Sequence, residues 1–187
     1  MTSVIVDFEW TMKNEYLHEW TMINENKKRI DIFMERDELV KKYSWAVPNQ
    51  EAMEEIASIG KPVVEIGAGK GYWAYMLHKN GVDIVAYDIN PAEQSWYDVR
   101  LGGFSVLSRY PDHILMLCWP PYDESMAMDC LNNYMGEYVT YIGEGYGGCT
   151  ADDKFHEKLE DSWELIKTVN IPVWWGINDN LTIWCRK

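Results

Sequence analysis

The spacing of hydrophobic residues changes near residue 60. Before it, apolar residues recur three or four positions apart, as at Ile30, Phe33 and Met34, a spacing typical of amphipathic helices. After it, short apolar runs alternate with helical stretches, as in repeated strand–helix units. We therefore expect a helical N-terminal extension, residues 1–60, packed on an α/β core, residues 61–187, in one domain overall.

Apolar runs predict five strands and a C-terminal strand pair in the core. The five strands are expected at Val63–Ile66, Ile84–Tyr87, Phe104–Leu107, Ile114–Cys118 and Tyr138–Ile142. Continuous runs such as 114–118 suit parallel strands covered on both faces. The tail differs, because Trp163–Val169 and Leu181–Cys185 predict two antiparallel strands joined by a loop.

Helices are predicted from periodicity and from capping residues. Three are expected in the core, at Tyr72–Lys79, Ser125–Tyr134 and Asp152–Leu159. In the extension, Asn49 has the character of a helix N-cap, and that helix should run to about Ile59 and stop at Gly60.

A glycine-rich turn carries the strongest chemical signal. The segment EIGAGKG, residues 65–71, leads from a strand into a helix and has glycines at alternate positions, Gly67, Gly69 and Gly71. Glycine allows a sharp turn and lets a ligand approach backbone N–H groups closely. The following helix N-terminus adds free donors and partial positive charge.

An acidic residue ends the second predicted strand. In this kind of unit, Asp88 is placed to accept both hydroxyls of a ribose, so the two features together point to an adenosine-containing ligand. A dinucleotide turn of the form G-x-G-x-x-G fits poorly, because counted from Gly67 its last glycine falls on Tyr72. NAD binding is therefore disfavoured.

The E-x-G-x-G-x-G pattern, with Asp88 after it, resembles that of class I S-adenosylmethionine-dependent methyltransferases. The resemblance implies S-adenosylmethionine as cofactor and a Rossmann-like, doubly wound, seven-stranded sheet whose last two strands are antiparallel. It implies that Asp88 holds the ribose and that Asn90 lies near the adenine. It also implies that the remaining residues of the turn bind the methionine and backbone side of the cofactor, namely Glu65, Gly67, Ala68, Gly69 and Gly71.

A second candidate site follows the predicted strand 114–118. The segment Trp119-Pro120-Pro121-Tyr122 is similar to the (Asn/Asp/Ser)-Pro-Pro-(Tyr/Phe/Trp) loop of amino-methyltransferases. We expect Pro120, Tyr122 and Trp119 to position the acceptor, with proline carbonyls free to accept hydrogen bonds from a substrate amine. Trp119 departs from the pattern, because indole is a donor only. A proline-stiffened turn with a core tryptophan is the structural alternative.

Further polar residues follow the fifth predicted strand, around a glycine-dense segment, residues 143–148, that suggests a mobile loop able to close over a substrate. Asp152 is an N-cap or a catalyst, and His156 is a general base or a surface helix residue. The segment 44–48, with Trp45, either lines the cofactor pocket or plugs the core. The other candidates in this region are Glu144, Tyr146, Cys149, Thr150 and Asp153.

Charge and composition narrow the class of acceptor. Thirty acidic and seventeen basic residues give a net charge of −13, which repels nucleic acid at long range. We therefore favour methyl transfer to a nitrogen or oxygen of a small molecule or protein side chain. The alternatives are N-methylation of a nucleic-acid base, a non-catalytic subunit that binds S-adenosylmethionine, or an enzyme that consumes it without methylating.

The positions of the cysteines, histidines and apolar stretches predict a cytoplasmic protein without a metal site. The four cysteines are widely separated and lack a CxxC pair, which favours buried, reduced thiols in a cytoplasmic protein. We expect no secretory signal, because the N-terminus carries Asp7 and Glu9 and has no basic segment followed by an apolar run. We also expect no membrane span, because every apolar stretch is far shorter than one. Histidines and cysteines never cluster at ligand spacing, so we expect no metal.

Overall fold

A seven-stranded sheet lies at the centre of the computed structural model, which describes residues 14–26 and 29–187. Its strands are β1 (Val63–Ile66), β2 (Ile84–Asp88), β3 (Val99–Leu101), β4 (Ile114–Cys118), β5 (Tyr138–Gly143), β6 (Trp163–Asn170) and β7 (Asn180–Arg186). The strand order is β3-β2-β1-β4-β5-β7-β6. The first five strands pair in parallel, whereas β7 is antiparallel to both β5 and β6. The predicted fold class and C-terminal antiparallel pair are confirmed.

Helices cover both faces of this sheet. They are α1 (Glu15–Asn26), α2 (Arg29–Lys42), α3 (Gln50–Ser58), α4 (Tyr72–Lys79), α5 (Met126–Asn133) and α6 (Asp153–Ser162), with a 3-10 helix at Phe104–Arg109. Alternate strand residues face opposite layers. In β4, Ile114 and Met116 belong to the core that also holds residues of α1 to α4, and Leu115 and Leu117 to the core shared with α5 and α6.

The prediction of a strand at Phe104–Leu107 is wrong. The chain forms a 3-10 helix there, which buries Val106 and Leu107 against the α5 side of the sheet and leaves Phe104 exposed. The third strand is instead β3, three residues at the sheet edge whose side chains are mostly exposed. β3 has only three residues, too few to form an apolar run, so the pattern pointed to the nearby apolar residues of 104–107.

The described part of the N-terminal extension packs into the core of the sheet domain; residues 1–13 and 27–28 lie outside the described residues. Tyr16 is fully buried, and its hydroxyl donates to the backbone oxygen of Ser44 at 2.7 Å. The side chain of Asn49 accepts from the N–H of Ala52 at 3.0 Å, which confirms it as the N-cap of α3. The extension therefore shares one hydrophobic cluster with the strands.

Two further observations bear on the composition arguments. None of the helices in residues 14–26 and 29–187 is long and apolar enough to cross a membrane. The four cysteines, Cys118, Cys130, Cys149 and Cys185, are free thiols. The expectation of buried thiols is confirmed for Cys130; Cys118 and Cys185 are partly exposed, and Cys149 is exposed in the loop after β5.

Candidate functional site

A cavity of about 420 Å³ lies at the carboxyl ends of β1, β2 and β4. Strand order reverses here, since β1 has β2 on one side and β4 on the other. In open α/β sheets, ligands bind at this kind of switch point. Its volume falls within the range of about 300–1,000 Å³ that is usual for drug-sized ligands.

Most of the residues predicted to bind a cofactor line this cavity. They are Glu65, Gly67, Ala68, Gly69, Asp88 and Asn90. Gly71 lies outside the lining, at the N-cap of α4. Of the predicted acceptor residues, Trp119 lines the cavity, whereas Pro120 and Tyr122 do not. The glycine turn, the end of β2 and the end of β4 therefore meet at one place.

The backbone of the glycine turn is held by the end of β2. The N–H groups of Gly67 and Ala68 both donate to the carbonyl of Tyr87, at 2.8 and 3.0 Å. The Asp88 carboxylate accepts from the N–H of Gly69 through one oxygen and from the N–H of Asn90 through the other, each at 2.8 Å. These bonds fix Asp88 at the cavity wall and leave its remaining lone pairs for a ligand.

Glu65 is a buried carboxyl group, one oxygen of which makes no hydrogen bond. It is 2% exposed, and its Oε2 has no hydrogen-bond partner. Burial, with a smaller contribution from the negative charge of Asp88, raises its pKa to about 8, and a hydrogen bond from the backbone N–H of Ala74 opposes the shift. Ala74 lies in the first turn of α4. Glu65 thus accepts from the first turn of that helix and lines the cavity with one oxygen unpartnered, so it is suited to a cationic ligand group.

Gly71 serves the fold rather than the cavity wall. Its φ is +69°, and a Cβ placed there would lie 2.8 Å from Cγ2 of Val99 and 3.1 Å from Cβ of Tyr97. Gly69 also has a left-handed φ, +54°, but nothing lies within 4 Å of its Cβ position. The open space beside Gly69 is a cradle that a ligand can enter.

We expect Gly71→Ala to reduce the free energy of unfolding by about 1–2 kcal/mol more than Gly69→Ala. Both variants suffer left-handed strain of about 1–2 kcal/mol, but only Gly71→Ala is overpacked against Val99 and Tyr97. Urea denaturation of the two variants measures the difference. Equal destabilisation would contradict this account of the turn.

In the Trp-Pro-Pro-Tyr loop, Trp119 alone lines the cavity, although Pro120 and Tyr122 were also predicted to position the acceptor. The carbonyl of Pro120, predicted to be free, accepts from the N–H of Ala151 at 3.0 Å, which leaves it one lone pair. Tyr122 is 55% exposed and is not among the residues that line the cavity. The loop therefore presents Trp119 to the cavity.

Trp119 is fixed in an unusual conformation. Its φ is +54°, a left-handed value that costs about 1–3 kcal/mol in a residue with a large side chain. Its indole N–H donates to Oδ2 of Asp179 at 2.7 Å, and its ring stacks on Trp45 with centroids 4.3 Å apart and planes 6° apart. Asp179 is buried, and desolvation raises its pKa to about 6.

The N-terminal extension supplies a further wall of the cavity. Ser44 and Trp45 line it, as predicted for one alternative of segment 44–48, and Val40 and Tyr43 join them. Periodicity in the extension did not identify these positions as cavity residues, because only the fold brings them to the sheet edge. Tyr72, Trp73, Lys70, Ala92 and Cys118 complete the lining.

The glycine-dense loop after β5 is held by hydrogen bonds. Glu144 accepts from the N–H of Cys149 and from the N–H of Asn178, at 2.9 and 2.7 Å. Asp152 caps α6 by accepting from the N–H of Phe155 at 2.9 Å, so the N-cap alternative is confirmed. His156 is buried, and its Nε2 lies 3.0 Å from the carbonyl of Thr150, so a surface position is wrong.

None of these loop residues lines the cavity; the others predicted there are Tyr146 and Asp153. Within the described ranges, no group of three or more His, Cys, Asp or Glu side chains is placed to hold a metal ion.

Comparison with known proteins supports the fold. No protein-family model and no curated protein sequence matches the chain. Among solved structures, the chain is similar to a 1,6-didemethyltoxoflavin-N1-methyltransferase of Burkholderia thailandensis with bound 1,6-didemethyltoxoflavin and S-adenosylhomocysteine. That match has 15% identity and a TM-score of 0.57, covering 94% of this chain and 91% of the other.

Two more structures have the same fold. A Thermoplasma acidophilum protein (1320) matches with 13% identity, TM-score 0.53, and 86% and 98% of the two chains covered. The magnesium protoporphyrin IX methyltransferase of Synechocystis, solved with bound S-adenosylmethionine, matches with 11% identity, TM-score 0.50, and 73% and 77% covered. The chain thus has the fold of S-adenosylmethionine-dependent methyltransferases.

Proposed function

We propose that the protein is an S-adenosylmethionine-dependent methyltransferase acting on a nitrogen or oxygen of a small molecule or protein side chain. One observation carries the proposal: Glu65 and Asp88 face the same cavity from either side of the glycine turn. The two carboxyls match the cationic amino group and the ribose hydroxyls of one ligand. Structures of this fold bind S-adenosylmethionine or S-adenosylhomocysteine.

The residues fit this cofactor in detail. Oε2 of Glu65, buried without a partner, would accept from the methionine ammonium, and the oxygens of Asp88 would accept from the ribose. The open space at Gly69 admits the backbone side of the ligand. Asn90 lies beyond Asp88 and would flank the adenine.

When bound, S-adenosylmethionine supplies an activated methyl group: an acceptor lone pair forms the new bond to carbon as the carbon–sulfur bond breaks, neutral S-adenosylhomocysteine leaves, and a neutral acceptor loses its proton to solvent. The protein's share is alignment and exclusion of water. Glu65 holds the methionine end of the cofactor and Asp88 holds its ribose, while Trp119 and Trp45 shield the β4 side of the cavity.

The acceptor is better matched by a small molecule or protein side chain than by a nucleic-acid base. The Pro120 carbonyl already accepts from Ala151, and Tyr122 lies outside the cavity lining. The net charge of −13 opposes binding to a phosphate backbone. The feature that suggested base methylation therefore offers little support for it.

A non-catalytic subunit that binds S-adenosylmethionine is the second candidate. It is favoured by the stack of Trp45 on Trp119, which covers the face that an acceptor would approach. The two candidates differ in product, since only an enzyme forms S-adenosylhomocysteine.

We expect turnover when the protein is incubated with methyl-labelled S-adenosylmethionine and fractions of a small-molecule extract. The label should pass to an acceptor in step with the formation of S-adenosylhomocysteine. The Glu65→Gln variant is the matched control and should transfer little label. Consumption of S-adenosylmethionine without S-adenosylhomocysteine would contradict methyl transfer, and binding without consumption would favour the non-catalytic candidate.

A further inference from the structure

The stacked indoles of Trp45 and Trp119 occupy the acceptor end of the cavity. Asp88 ends β2, Glu65 lies on β1 and Trp119 follows β4, and β1 lies between the other two strands. A cofactor held by Asp88 and Glu65 therefore spans the edge from β2 to β1. The β4 side remains for the second substrate, and Trp119 is the aromatic residue that β4 places there.

The ring of Trp119 is held firmly, with its polar edge already used. Its backbone N–H donates to the carbonyl of Ile142 at 2.8 Å, and its indole N–H donates to Asp179 at 2.7 Å. What it offers to a ligand is therefore the face of the ring. A hydrogen bond from the indole N–H to a carboxylate increases the electron density of that face, which attracts cationic or electron-poor rings.

The ring of Trp45 covers one face of the Trp119 ring, and Trp45 belongs to an irregular segment. It lies between α2 and α3, where the chain has no regular secondary structure, and the Arg36 guanidinium lies 5.5 Å from its ring centroid. The parallel indole shows that the face of Trp119 accepts a flat bicyclic heteroaromatic ring. Displacement of Trp45 exposes this surface without disturbing the bonds that fix Trp119.

Charge limits the ligand further. The carboxyls of Glu65 and Asp88 line the cavity on the cofactor side, and Asp179 accepts from the indole N–H of Trp119 on the acceptor side. Lys70 is the basic residue among the lining residues. An anionic ring against Trp119 would meet repulsion from Asp179, whereas a neutral or cationic ring would not.

We infer that the methyl acceptor is a planar heteroaromatic small molecule, neutral or cationic, whose ring binds against the face of Trp119 in place of Trp45. This inference rests on the proposed function, since it assigns the second substrate of the same site. Trp119 binds the acceptor, and Asp179 is a positioning residue that holds the indole.

The test uses the full chain saturated with S-adenosylhomocysteine. Calorimetry compares quinolin-4-amine, a flat ring that is protonated at its ring nitrogen, with decahydroquinoline, which carries one protonated ring nitrogen on a saturated, non-planar frame. We expect the planar probe to bind at least about tenfold more tightly. Trp119→Leu should weaken its binding roughly 5- to 150-fold, the range for losing one aromatic stacking partner.

Trp45→Leu distinguishes displacement from a fixed wall. We expect this variant to bind the planar probe more tightly than the parent, because the competing ring is gone. Trp184→Phe, a change on β7 in the opposite hydrophobic core, is the matched control and should bind as the parent does. Circular dichroism checks that each variant is folded.

The outcomes separate the inference from the proposed function. If S-adenosylhomocysteine itself fails to bind, the proposed function fails and the inference with it. If it binds but the planar and saturated probes bind equally, or neither binds, the inference alone is overturned. It is also overturned if Trp45→Leu weakens the planar probe as much as Trp119→Leu does.

Discussion

Glu65→Gln is expected to weaken the binding of S-adenosylmethionine roughly 15- to 450-fold at pH 7. Loss of one partner of a buried ion pair costs about 3–5 kcal/mol. In the parent protein, the ion pair forms only after Glu65 is ionised, which costs about 1.4 kcal/mol at pH 7 for a pKa of about 8. This cost reduces the effect of the substitution. The net effect is about 1.6–3.6 kcal/mol, and calorimetric titration measures it directly.

The same residue gives binding a characteristic dependence on pH. Below pH 8, Glu65 is largely protonated in the free protein, and a ligand ammonium stabilises its ionised form. Binding therefore releases a proton, so affinity rises with pH by up to tenfold per unit between about pH 6 and pH 8. The rise ends near pH 8, where an α-amino group loses its own charge. Glu65→Gln should remove this rise.

Stability should change in the opposite direction to binding. Because the pKa of Glu65 is raised on folding, the folded state binds more protons than the unfolded state as pH increases from about 4.5 to 8, and stability falls over that window. Glu65→Gln removes this penalty, so its Tm at pH 8 should equal or exceed that of the parent. Glu160→Gln, exposed on α6, should change neither property. A variant that loses stability together with binding would contradict a ligand-binding role.

Asp88→Ala is expected to weaken the same ligand by about 1.5–3 kcal/mol, roughly 10- to 150-fold, the usual range for hydrogen bonds to a charged group. The loss has two sources. The ribose loses its acceptor, and the N–H groups of Gly69 and Asn90 lose theirs. Calorimetric titration with S-adenosylmethionine gives the magnitude.

Two variants separate these sources. Asp88→Asn keeps one carbonyl oxygen for the turn but loses the negative charge, so it should fall between the parent and Asp88→Ala. Asp83→Ala removes an exposed carboxylate just before the amino end of the same strand, β2, and should bind as the parent does. Unchanged affinity in folded Asp88→Ala would exclude Asp88 as the ribose acceptor.

The sheet was predictable wherever burial imposed a pattern. The run 114–118 matches β4, because strands covered on both faces are apolar, and the run 63–66 matches β1, which is apolar except for Glu65. The exposed edge strand β3 has no such run, and the apolar residues of 104–107 produced a false strand where the chain forms a 3-10 helix. The hydrophobic pattern therefore located the buried strands and missed a three-residue exposed one.

The candidate site also has a part that was predictable from the sequence and a part that was not. The residues of the glycine turn and Asp88 were predictable because strand–turn–helix geometry places them locally. The pairing of Trp45 with Trp119, and the bond from Trp119 to Asp179, join positions far apart in sequence. No local pattern encodes such contacts. The Pro120 carbonyl was misjudged for the same reason, since its partner, Ala151, comes from the loop after β5.

Calorimetric titration of the protein with S-adenosylmethionine, S-adenosylhomocysteine and NAD in parallel tests the central claim most directly. We expect micromolar binding of the first two and no binding of NAD, because Glu65 lines the cavity and suits an amino group, and the glycine turn lacks the dinucleotide spacing. Absence of binding by both adenosyl compounds, or equal binding of NAD, would contradict this claim.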